Sequence, residues 1–445
     1  MTTESTVTTE STVTTFETRA GSPLRGGVRV PGDKSISHRA VLFAALAEGR
    51  SQLTGLSDGD DVFRTRQAME RMGAVFTEEG AAVCVDGGRS RLHEPDSAID
   101  VGNSGTGMRL MAGWCAPMPW LTVLQGDSSL HRRPMGRVIE PLTKMGARID
   151  GRSNATLAPL TIRGGQLKGI EFHSPIASAQ LKSAVLIAGL SAEGRTLVHE
   201  PMPTRMHTEE MLTQAGVDVD IEEHNDGSVT IAIRPSALTP LNLDVPGDPS
   251  QAAFWMVAAA VVPDSDITID NVYVGPGRNG LIEVMQRMGA DIELTHRDAV
   301  TADIRVRHSR LKGIDVSGEE VPSLIDELPI FAIAAATAEG VTNVRDAMEM
   351  RVKESDRIAA VVGEMGGLGV AIVEHPDGFS ISGDPDARLT GGVVNAHLDH
   401  RIAMTGAIAG LLSATPTIIH GWESVATSYP GFADDLNHLT GGQSR

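Results

Sequence analysis

Residues 71–79 read RMGAVFTEE. The segment has the form of a last helical turn, a glycine where a left-handed residue ends the helix, and then the alternating residues of a strand. The same pattern returns at intervals of roughly 70 to 80 residues, longer than the period of common solenoid repeats. The other instances are KMGARID at 144–150, QAGVDVDIE at 214–222, RMGADIELT at 287–295, GLGVAIVE at 367–374 and a truncated HLTGGQ at 438–443.

These six instances predict a repeated α/β unit. Some of the strands that follow the glycines turn back at Asp-Gly, as at 226–227 and 377–378, which is a hairpin signal. A chain of 445 residues is too long for one ordinary core, so two domains of three units each are expected. The alternative is coincidence, because such helix ends are common.

Two Pro-Gly turns suggest where the chain passes between the domains. VPGDK at 30–34 is answered by DVPGDPSQ at 244–251, and each turn leads into a helix. We therefore expect one domain from 33–245 and a second from 23–32 together with 246–445.

The first segment, 1–22, is predicted to be a disordered tail. It contains TTESTV twice in tandem and has almost no apolar residues with which to offset its ordering entropy. It lacks the apolar core of a secretory peptide, and Glu4, Glu10 and Glu17 argue against a transit peptide. Removal of residues 1–18 is expected to leave activity and stability unchanged.

Composition excludes several classes of protein. Aromatic residues make up 3% of the chain and the net charge is −19, which disfavours nucleic acid as a partner. The longest apolar stretches, such as 254–262, are too short to span a membrane. Cys84 and Cys115 do not form a CxxC pair, so we expect a reducing, cytoplasmic location and no structural metal.

Charged residues stand at the starts of several predicted apolar helices. GDKSISHR at 32–39 places Lys34, Ser35 and Arg39 in the first turns of a predicted helix, where anions are favoured. GNSGTGMRL at 102–110 is a glycine-rich turn, and HRRPMGRV at 131–138 groups three arginines. Taken singly, each is as well explained by a capped helix, a plain turn or solvated cations.

The second half of the chain continues this pattern. SLIDELP at 323–329 and LDHRIAM at 398–404 lead into apolar helices, and RVKESDR at 351–357 sets Lys353, Glu354 and Arg357 within one predicted helical turn. Asp326 could be a simple N-cap, and the Glu354–Arg357 spacing could be an exposed ion pair. So many charges at the mouths of buried helices predict a shared polar cleft.

The motifs GDKSISHR, GNSGTGMR, RPMG, SAQLKSAV, RVKESDR and LDHRIAM, in this order, resemble the enolpyruvyl transferase family over nearly the whole chain. The likeness is to the branch whose acceptor is shikimate 3-phosphate, in its bacterial class II form. It implies an α/β fold of two similar domains, each with three βαβαββ units arranged as an inside-out barrel. It also implies an active site between the domains, phosphoenolpyruvate as donor, no metal or organic cofactor, and a monomer.

The resemblance also implies residue roles. The residues implied to bind shikimate 3-phosphate are Lys34, Ser35, Arg39, Ser178, Ala179, Gln180, Arg205, Asp326 and Lys353. The residues implied to bind phosphoenolpyruvate are Lys34, Gly105, Arg133, Gln180, Arg357 and Arg401. Asp326 and Glu354 would transfer protons with help from Lys34, and glyphosate would occupy the donor pocket beside Gly105.

Two departures and two alternatives accompany the resemblance. A lysine that some members carry near the C-terminus is absent from ATSYP at 426–430, and Arg205 replaces a phosphate-binding serine. The sister enzyme that uses UDP-N-acetylglucosamine usually has a reactive cysteine in a loop that here reads GDSSLHR, at 126–132. A non-catalytic phosphosugar-binding protein would be expected to lose Asp326 or Glu354, and both are present.

Overall fold

The computed structural model describes residues 14–386 and 388–441. The helices of this part of the chain are α1 (Lys34–Leu46), α2 (Asp60–Arg71), α3 (Gly105–Cys115), α4 (Gly136–Lys144), α5 (Arg152–Ala155), α6 (Ala179–Gly189), α7 (His207–Gln214), α8 (Pro249–Val261), α9 (Gly280–Arg287), α10 (Val321–Leu324), α11 (Leu328–Ala336), α12 (Arg357–Gly367), α13 (His400–Gly410) and α14 (Phe432–Thr440).

The strands in the first part of the chain are β1 (Thr15–Thr18), β2 (Arg25–Val28), β3 (Gly49–Thr54), β4 (Val75–Glu79), β5 (Ala82–Gly87), β6 (Ile99–Asp100), β7 (Leu121–Gln125), β8 (Arg148–Gly151), β9 (Leu157–Arg163), β10 (Leu167–Lys168), β11 (Glu171–His173), β12 (Ala192–Glu193), β13 (Thr196–Glu200), β14 (Val219–Glu223), β15 (Val229–Ile233) and β16 (Asn242–Asp244). The later strands are β17 (Asp266–Tyr273), β18 (Asp291–His296), β19 (Thr301–Arg307), β20 (Asp315–Val316), β21 (Gly340–Val344), β22 (Ala371–His375), β23 (Gly378–Gly383), β24 (Gly392–Asn395) and β25 (Thr417–His420).

Five four-stranded sheets share one arrangement. In each, a first strand pairs in parallel with a second, which pairs antiparallel with the last strand of a hairpin. Their orders are β16-β3-β5-β4, β6-β7-β9-β8, β11-β13-β15-β14, β2-β17-β19-β18 and β20-β21-β23-β22. Helices connect the strands, so the predicted repeated α/β unit is confirmed.

The glycines that mark the repeat have the backbone conformation expected of them. Each has a positive φ, between 71° and 105°, at the end of a helix: Gly73, Gly146, Gly216, Gly289, Gly369 and Gly441. A left-handed residue lets the chain leave the helix and enter the next strand at once, and only glycine adopts it without steric cost.

The sixth sheet corrects the prediction of a disordered tail. Its order is β1-β25-β24, and β1 pairs antiparallel with β25 from Thr15↔His420 to Thr18↔Thr417. The last repeat has no hairpin after α14 in the described residues, and the N-terminal strand takes the place that a hairpin strand fills elsewhere. Phe16 is buried and stacks on Trp422 with ring centroids 4.0 Å apart. Residues 1–13 of the predicted tail lie outside the described residues.

The two Pro-Gly turns lie side by side, as the sequence predicts for paired crossings. Gly32 and Gly247 form an isolated antiparallel bridge. The Asp33 amide donates to the Pro246 carbonyl at 2.7 Å, and the Asp248 amide donates to the Pro31 carbonyl at 2.9 Å. As a result β2 joins the sheet of β17, whereas β16 joins the sheet of β3.

Buried hydrophobic residues form two clusters. One contains residues between 36 and 245 together with Tyr273, and the other contains residues between 16 and 30 and between 252 and 439. The division lies close to the predicted domain limits of 32/33 and 245/246, which remain a prediction about independent folding units. None of the helices in the described residues is both long and apolar enough to cross a membrane.

Candidate active site

A cleft of about 730 Å³ has two walls, one from residues between 34 and 229 and the other from residues between 248 and 401. All but one of the predicted site residues line it. Those present are Lys34, Ser35, Arg39, Arg133, Ser178, Ala179, Gln180, Arg205, Asp326, Lys353, Glu354, Arg357 and Arg401.

Helix N-termini bring these side chains to the cleft. Asp33 caps α1 by accepting from the Ile36 amide at 2.8 Å, and Ser178 caps α6 by accepting from the Leu181 amide at 3.4 Å. Asp399 caps α13. The first helical turns therefore present positive backbone dipoles to the same space as the lysines and arginines, which favours an anionic ligand.

Asp326 stands between three cations from two segments of the chain. Its Oδ1 lies 3.2 Å from Lys353 Nζ and 3.2 Å from Arg357 Nη1, and its Oδ2 lies 3.0 Å from Arg205 Nη2. Burial alone would raise the pKa of this carboxyl, but the charges of Lys353 and the surrounding arginines outweigh burial and hold the pKa well below its usual value. The simple N-cap interpretation is wrong, because α11 is preceded by Glu327 and has no side-chain cap.

Glu354 is held by two arginines. Its Oε2 accepts from Arg357 Nη2 at 2.7 Å, and its Oε1 lies 3.3 Å from Arg133 Nη2. Burial would raise the pKa of Glu354, yet Arg133 and Arg357 hold it well below the usual value. The prediction that Glu354 lies in a helical turn with Arg357 is wrong, because α12 begins at Arg357 and Asp356 caps it.

The remaining cations are positioned by neighbours within the protein. Lys34 Nζ lies 2.9 Å from Asp61 Oδ2, and Arg401 Nη1 donates to the Asp326 carbonyl at 2.8 Å. Arg357 also bonds to Asp399, at 2.8 Å from Nε to Oδ2, and both are buried. These contacts fix the cations before any ligand binds, which reduces the ordering cost of binding.

Arg39 lines the cleft but is almost completely buried in its wall. Its three nitrogens donate to Thr208, to the Ser35 carbonyl and to Ser183. Burial lowers the pKa of the guanidinium to about 10, which still leaves it charged near neutral pH.

Gly105 is the predicted residue that does not line the cleft directly. A methyl group added there would lie 2.6 Å from Arg133 Nη2 and 2.7 Å from its Cζ. Gly105 therefore supports the Arg133 guanidinium from behind, and that guanidinium also donates to the Asn103 carbonyl at 3.0 Å. A methyl group added at Gly105 would therefore collide with the Arg133 guanidinium.

Several contacts connect the two walls of the cleft. Besides the ion pairs of Arg133 with Glu354 and Arg205 with Asp326, the Ser129 hydroxyl donates to the Glu354 carbonyl at 2.9 Å. At the rim, Arg137 Nη2 lies 2.9 Å from Glu349 Oε1. The walls are thus held together by the same charged groups that face the ligand space.

Sequence reasoning missed three structural supports of this site. Arg109 donates to Gln180 Oε1 at 2.6 Å, and burial together with nearby arginines lowers its pKa to about 9. His400 lines the cleft, and its Nε2 has no partner among the described residues. Both belong to motifs that the sequence singled out, so their place in those motifs was the available signal.

Arg278 is the third missed residue, and it joins the two crossing turns. Buried with them, it lies 3.0 Å from Asp33 and 2.6 Å from Asp248, and its Nη1 is 3.8 Å from Glu327. Arg278 therefore links Asp33 and Asp248, which cap α1 and α8, to Glu327, the residue after Asp326. No motif pointed to it, because its partners are distant in the sequence.

The segment that lacks the family lysine packs internally. The Thr427 hydroxyl lies 3.1 Å from His400 Nδ1, and Ser428 is buried. His400 is therefore the cleft-lining side chain that this segment supports.

Known proteins are similar to this chain over nearly its whole length. The family model for EPSP synthase (3-phosphoshikimate 1-carboxyvinyltransferase) matches residues 18–436. The 3-phosphoshikimate 1-carboxyvinyltransferase of Pelotomaculum thermopropionicum is 50% identical over 419 residues, which covers 93% of this chain and 96% of that protein. The protein of the same name from Bacillus thuringiensis (strain Al Hakam) is 47% identical, covering 94% of this chain and 97% of its own.

A solved structure shares the fold as well. The EPSP synthase of Acinetobacter baumannii superposes with a TM-score of 0.85 at 40% identity, covering 98% of this chain and 99% of that one. The α/β architecture of two similar halves expected from the sequence is confirmed by this match.

Proposed function

The chain belongs to the EPSP synthase family, and on that premise we propose how its residues transfer the carboxyvinyl group of phosphoenolpyruvate to the 5-hydroxyl of shikimate 3-phosphate. The reaction releases inorganic phosphate and serves the shikimate pathway. Membership of this family also removes the two alternatives, the sister enzyme and the non-catalytic binding protein.

The acceptor binds on the side of the cleft around Ser178. Arg205 and Lys353, together with the Ser178 hydroxyl at the start of α6, take the phosphate of shikimate 3-phosphate, and Arg39 takes its carboxylate. Ser35, Ala179 and Gln180 complete this side. Arginine and lysine give charge-assisted hydrogen bonds to phosphate, which are roughly twice as strong as hydrogen bonds between neutral groups.

The donor binds between Lys34, Arg133, Arg357 and Arg401, with the Gly105 turn behind Arg133 and with Gln180 at the boundary between the two substrates. Phosphoenolpyruvate carries both a phosphate and a carboxylate, so several cations are needed to neutralise and orient it. His400 adds a neutral imidazole to this side, because burial lowers its pKa well below the usual value.

Two carboxylates move the protons. Asp326 takes the proton of the 5-hydroxyl as that oxygen attacks C2, while Glu354 protonates the methylene carbon C3. The tetrahedral adduct then loses phosphate as the C2–O bond to phosphate breaks, and Glu354, now a carboxylate, takes a proton from the C3 methyl to restore the double bond. Lys34, whose charge acts on Glu354, assists by stabilising the anionic groups of the bound substrates.

One observation carries this assignment: Glu354 is paired with cations of the donor group, whereas Asp326 is paired with cations of the acceptor group and also with Arg357, which it shares with Glu354. Asp326 contacts Arg205 and Lys353 of the acceptor group, and Glu354 contacts Arg133 and Arg357 of the donor group. An arriving phosphoenolpyruvate competes with Glu354 for its arginines. The loss of those pairs raises the pKa of Glu354, which makes it able to hold the proton that a general acid must give.

Phosphate release by the purified enzyme tests the activity, with phosphoenolpyruvate and either shikimate 3-phosphate or UDP-N-acetylglucosamine as acceptor. We expect release only with shikimate 3-phosphate. Faster release with the nucleotide sugar would overturn the choice of acceptor.

Separate calorimetric titrations of the two substrates test the binding roles. Lys353→Ala and Arg205→Ala should each weaken shikimate 3-phosphate by about 1.5–3 kcal/mol, the size of a charge-assisted hydrogen bond. Arg133→Ala should weaken phosphoenolpyruvate by a similar amount. Equal losses of both ligands in all three variants would contradict the division.

We further propose a monomer that works in the cytoplasm. In support, one chain supplies every cleft residue named above, and both cysteines are free and buried. Light scattering on the purified enzyme tests the monomer, and a stable dimer would contradict it.

A further inference from the structure

The outward face of the third sheet carries two histidines and a glutamate in adjacent positions. In β11, Phe172 is buried, whereas Glu171 and His173 on either side of it are exposed. In the parallel pairing of β11 with β13, His173 stands beside His199. The alternation of a strand therefore places all three side chains on one face, away from the core.

The two imidazoles converge on one carboxylate oxygen. His199 Nε2 lies 3.0 Å from Glu171 Oε1, and His173 Nε2 lies 3.4 Å from the same atom. The rings stack with centroids 4.0 Å apart and planes within 8° of parallel. The three ligand atoms lie within 4.8 Å of one another.

A threonine on the next strand orients the inner histidine. His199 Nδ1 lies 2.7 Å from Thr230 Oγ1, and the same hydroxyl lies 2.7 Å from His224 Nε2. When the hydroxyl accepts from His199 Nδ1–H and donates to His224, the His199 Nε2 lone pair points at the Glu171 carboxylate. Two electron-rich atoms then face each other, and a cation between them removes the conflict.

We propose that Glu171, His173 and His199 bind a divalent transition metal ion of the Zn²⁺ type on this face of the sheet. Tetrahedral zinc with bonds of about 2.0–2.1 Å holds its ligand atoms about 3.3 Å apart, close to the two Nε2–Oε1 distances. Because 74% of the His173 side chain is exposed, this side chain can rotate and bring its Nε2 atom to bonding distance of the ion.

The donor set selects the kind of ion. Two imidazoles and one carboxylate suit Zn²⁺ and similar divalent transition metal ions, whereas Mg²⁺ and Ca²⁺ require oxygen ligands. The fourth position faces solvent and is open to water. A bound ion would tie β11 to β13, and these strands lead to the cleft-lining residues at 177–180 and 201–205.

Calorimetric titration of ZnCl₂ into the full-length, untagged enzyme, first treated with a chelator, tests the site. We expect one saturable site per chain and no comparable binding of MgCl₂. His173→Gln and His199→Gln should each weaken Zn²⁺ by at least about tenfold, and Thr230→Val by about tenfold through its effect on His199.

His397→Gln is the matched control, because His397 is an exposed histidine that pairs with one carboxylate, Glu364, at 2.7 Å. Its Zn²⁺ affinity should equal that of the unmodified enzyme. Phosphate release by each variant confirms that it is folded. The absence of saturable Zn²⁺ binding, or its retention in His199→Gln, would overturn the proposal, as would Mg²⁺ binding of equal strength.

Discussion

Glu354→Gln separates proton transfer from donor binding. In the free enzyme the Glu354 carboxylate accepts from Arg357 at 2.7 Å and lies 3.3 Å from Arg133. Phosphoenolpyruvate must displace these contacts to reach both arginines. Glutamine keeps the size and one hydrogen-bond acceptor of the side chain but carries neither the negative charge nor a transferable proton.

The expected sizes follow from these contacts. A hydrogen bond between charged groups contributes about 1.5–3 kcal/mol and a neutral one about 0.5–1.5 kcal/mol. The two values differ by about 1–1.5 kcal/mol. Because glutamine holds the arginines more weakly by this amount, phosphoenolpyruvate should bind the variant about tenfold more tightly. Loss of a general acid should lower kcat by about 10²- to 10⁴-fold.

Two measurements test this pair of effects. Calorimetry with phosphoenolpyruvate, repeated in buffers of different ionisation enthalpy, should show proton uptake by the unmodified enzyme and none by Glu354→Gln, since the pKa of Glu354 rises as its arginines turn to the substrate. Phosphate release at saturating substrates gives kcat. Glu349→Gln is the control, because it also removes an acid paired with an arginine across the cleft, at the exposed rim.

The reasoning is refuted if Glu354→Gln keeps kcat within tenfold of the unmodified enzyme. It is also refuted if the variant binds phosphoenolpyruvate more weakly, or if proton uptake persists in it. A loss of kcat in Glu349→Gln equal to that in Glu354→Gln would mean that the cross-cleft contacts, rather than proton transfer, are responsible.

Three further outcomes are expected. Gly105→Ala should displace the Arg133 guanidinium, raise the KM for phosphoenolpyruvate about tenfold through the loss of one charge-assisted bond, and weaken inhibition by the longer glyphosate even more. Lys353→Met removes a positive charge that lowers the pKa of Asp326, so the pKa of Asp326 rises in the variant. As the pH falls, Asp326 then becomes protonated at a higher pH than in the unmodified enzyme, and the acidic limb of kcat/KM shifts to higher pH. Deletion of residues 1–18 removes β1 and should lower Tm, and Phe16→Ala alone should cost about 3 kcal/mol of unfolding free energy.

Each of these outcomes has a measurement that can contradict it. An unchanged KM, or inhibition constants for glyphosate equal to those of the unmodified enzyme, would show that Arg133 adjusts freely around the methyl group that Gly105→Ala adds. An acidic limb that stays in place in Lys353→Met would remove Asp326 from the role of base. A truncated enzyme with an unchanged Tm in thermal unfolding would mean that the first strand contributes nothing to the sixth sheet.

The sequence by itself determined the features that depend on neighbouring residues. The left-handed glycines at 73, 146 and 216 and their counterparts end helices for a local steric reason, so they could be read directly. The caps Asp33 and Ser178 depend on amides only three residues away. The motifs, through their resemblance to a known family, also indicated which residues would share a cleft.

The tertiary structure decided the features that depend on distant residues. Asp326 pairs with Arg205, 121 positions earlier in the chain. Thr15 pairs with His420 in the sixth sheet, although the sequence predicted a disordered tail at Thr15. The contacts of Arg278, and the register that sets His173 beside His199, follow equally from how separate segments dock. Patterns of nearby residues report backbone conformation and burial. A charged side chain, in contrast, could pair at similar energy with many residues that are distant in the sequence. Only the packed chain brings one of those partners within bonding distance.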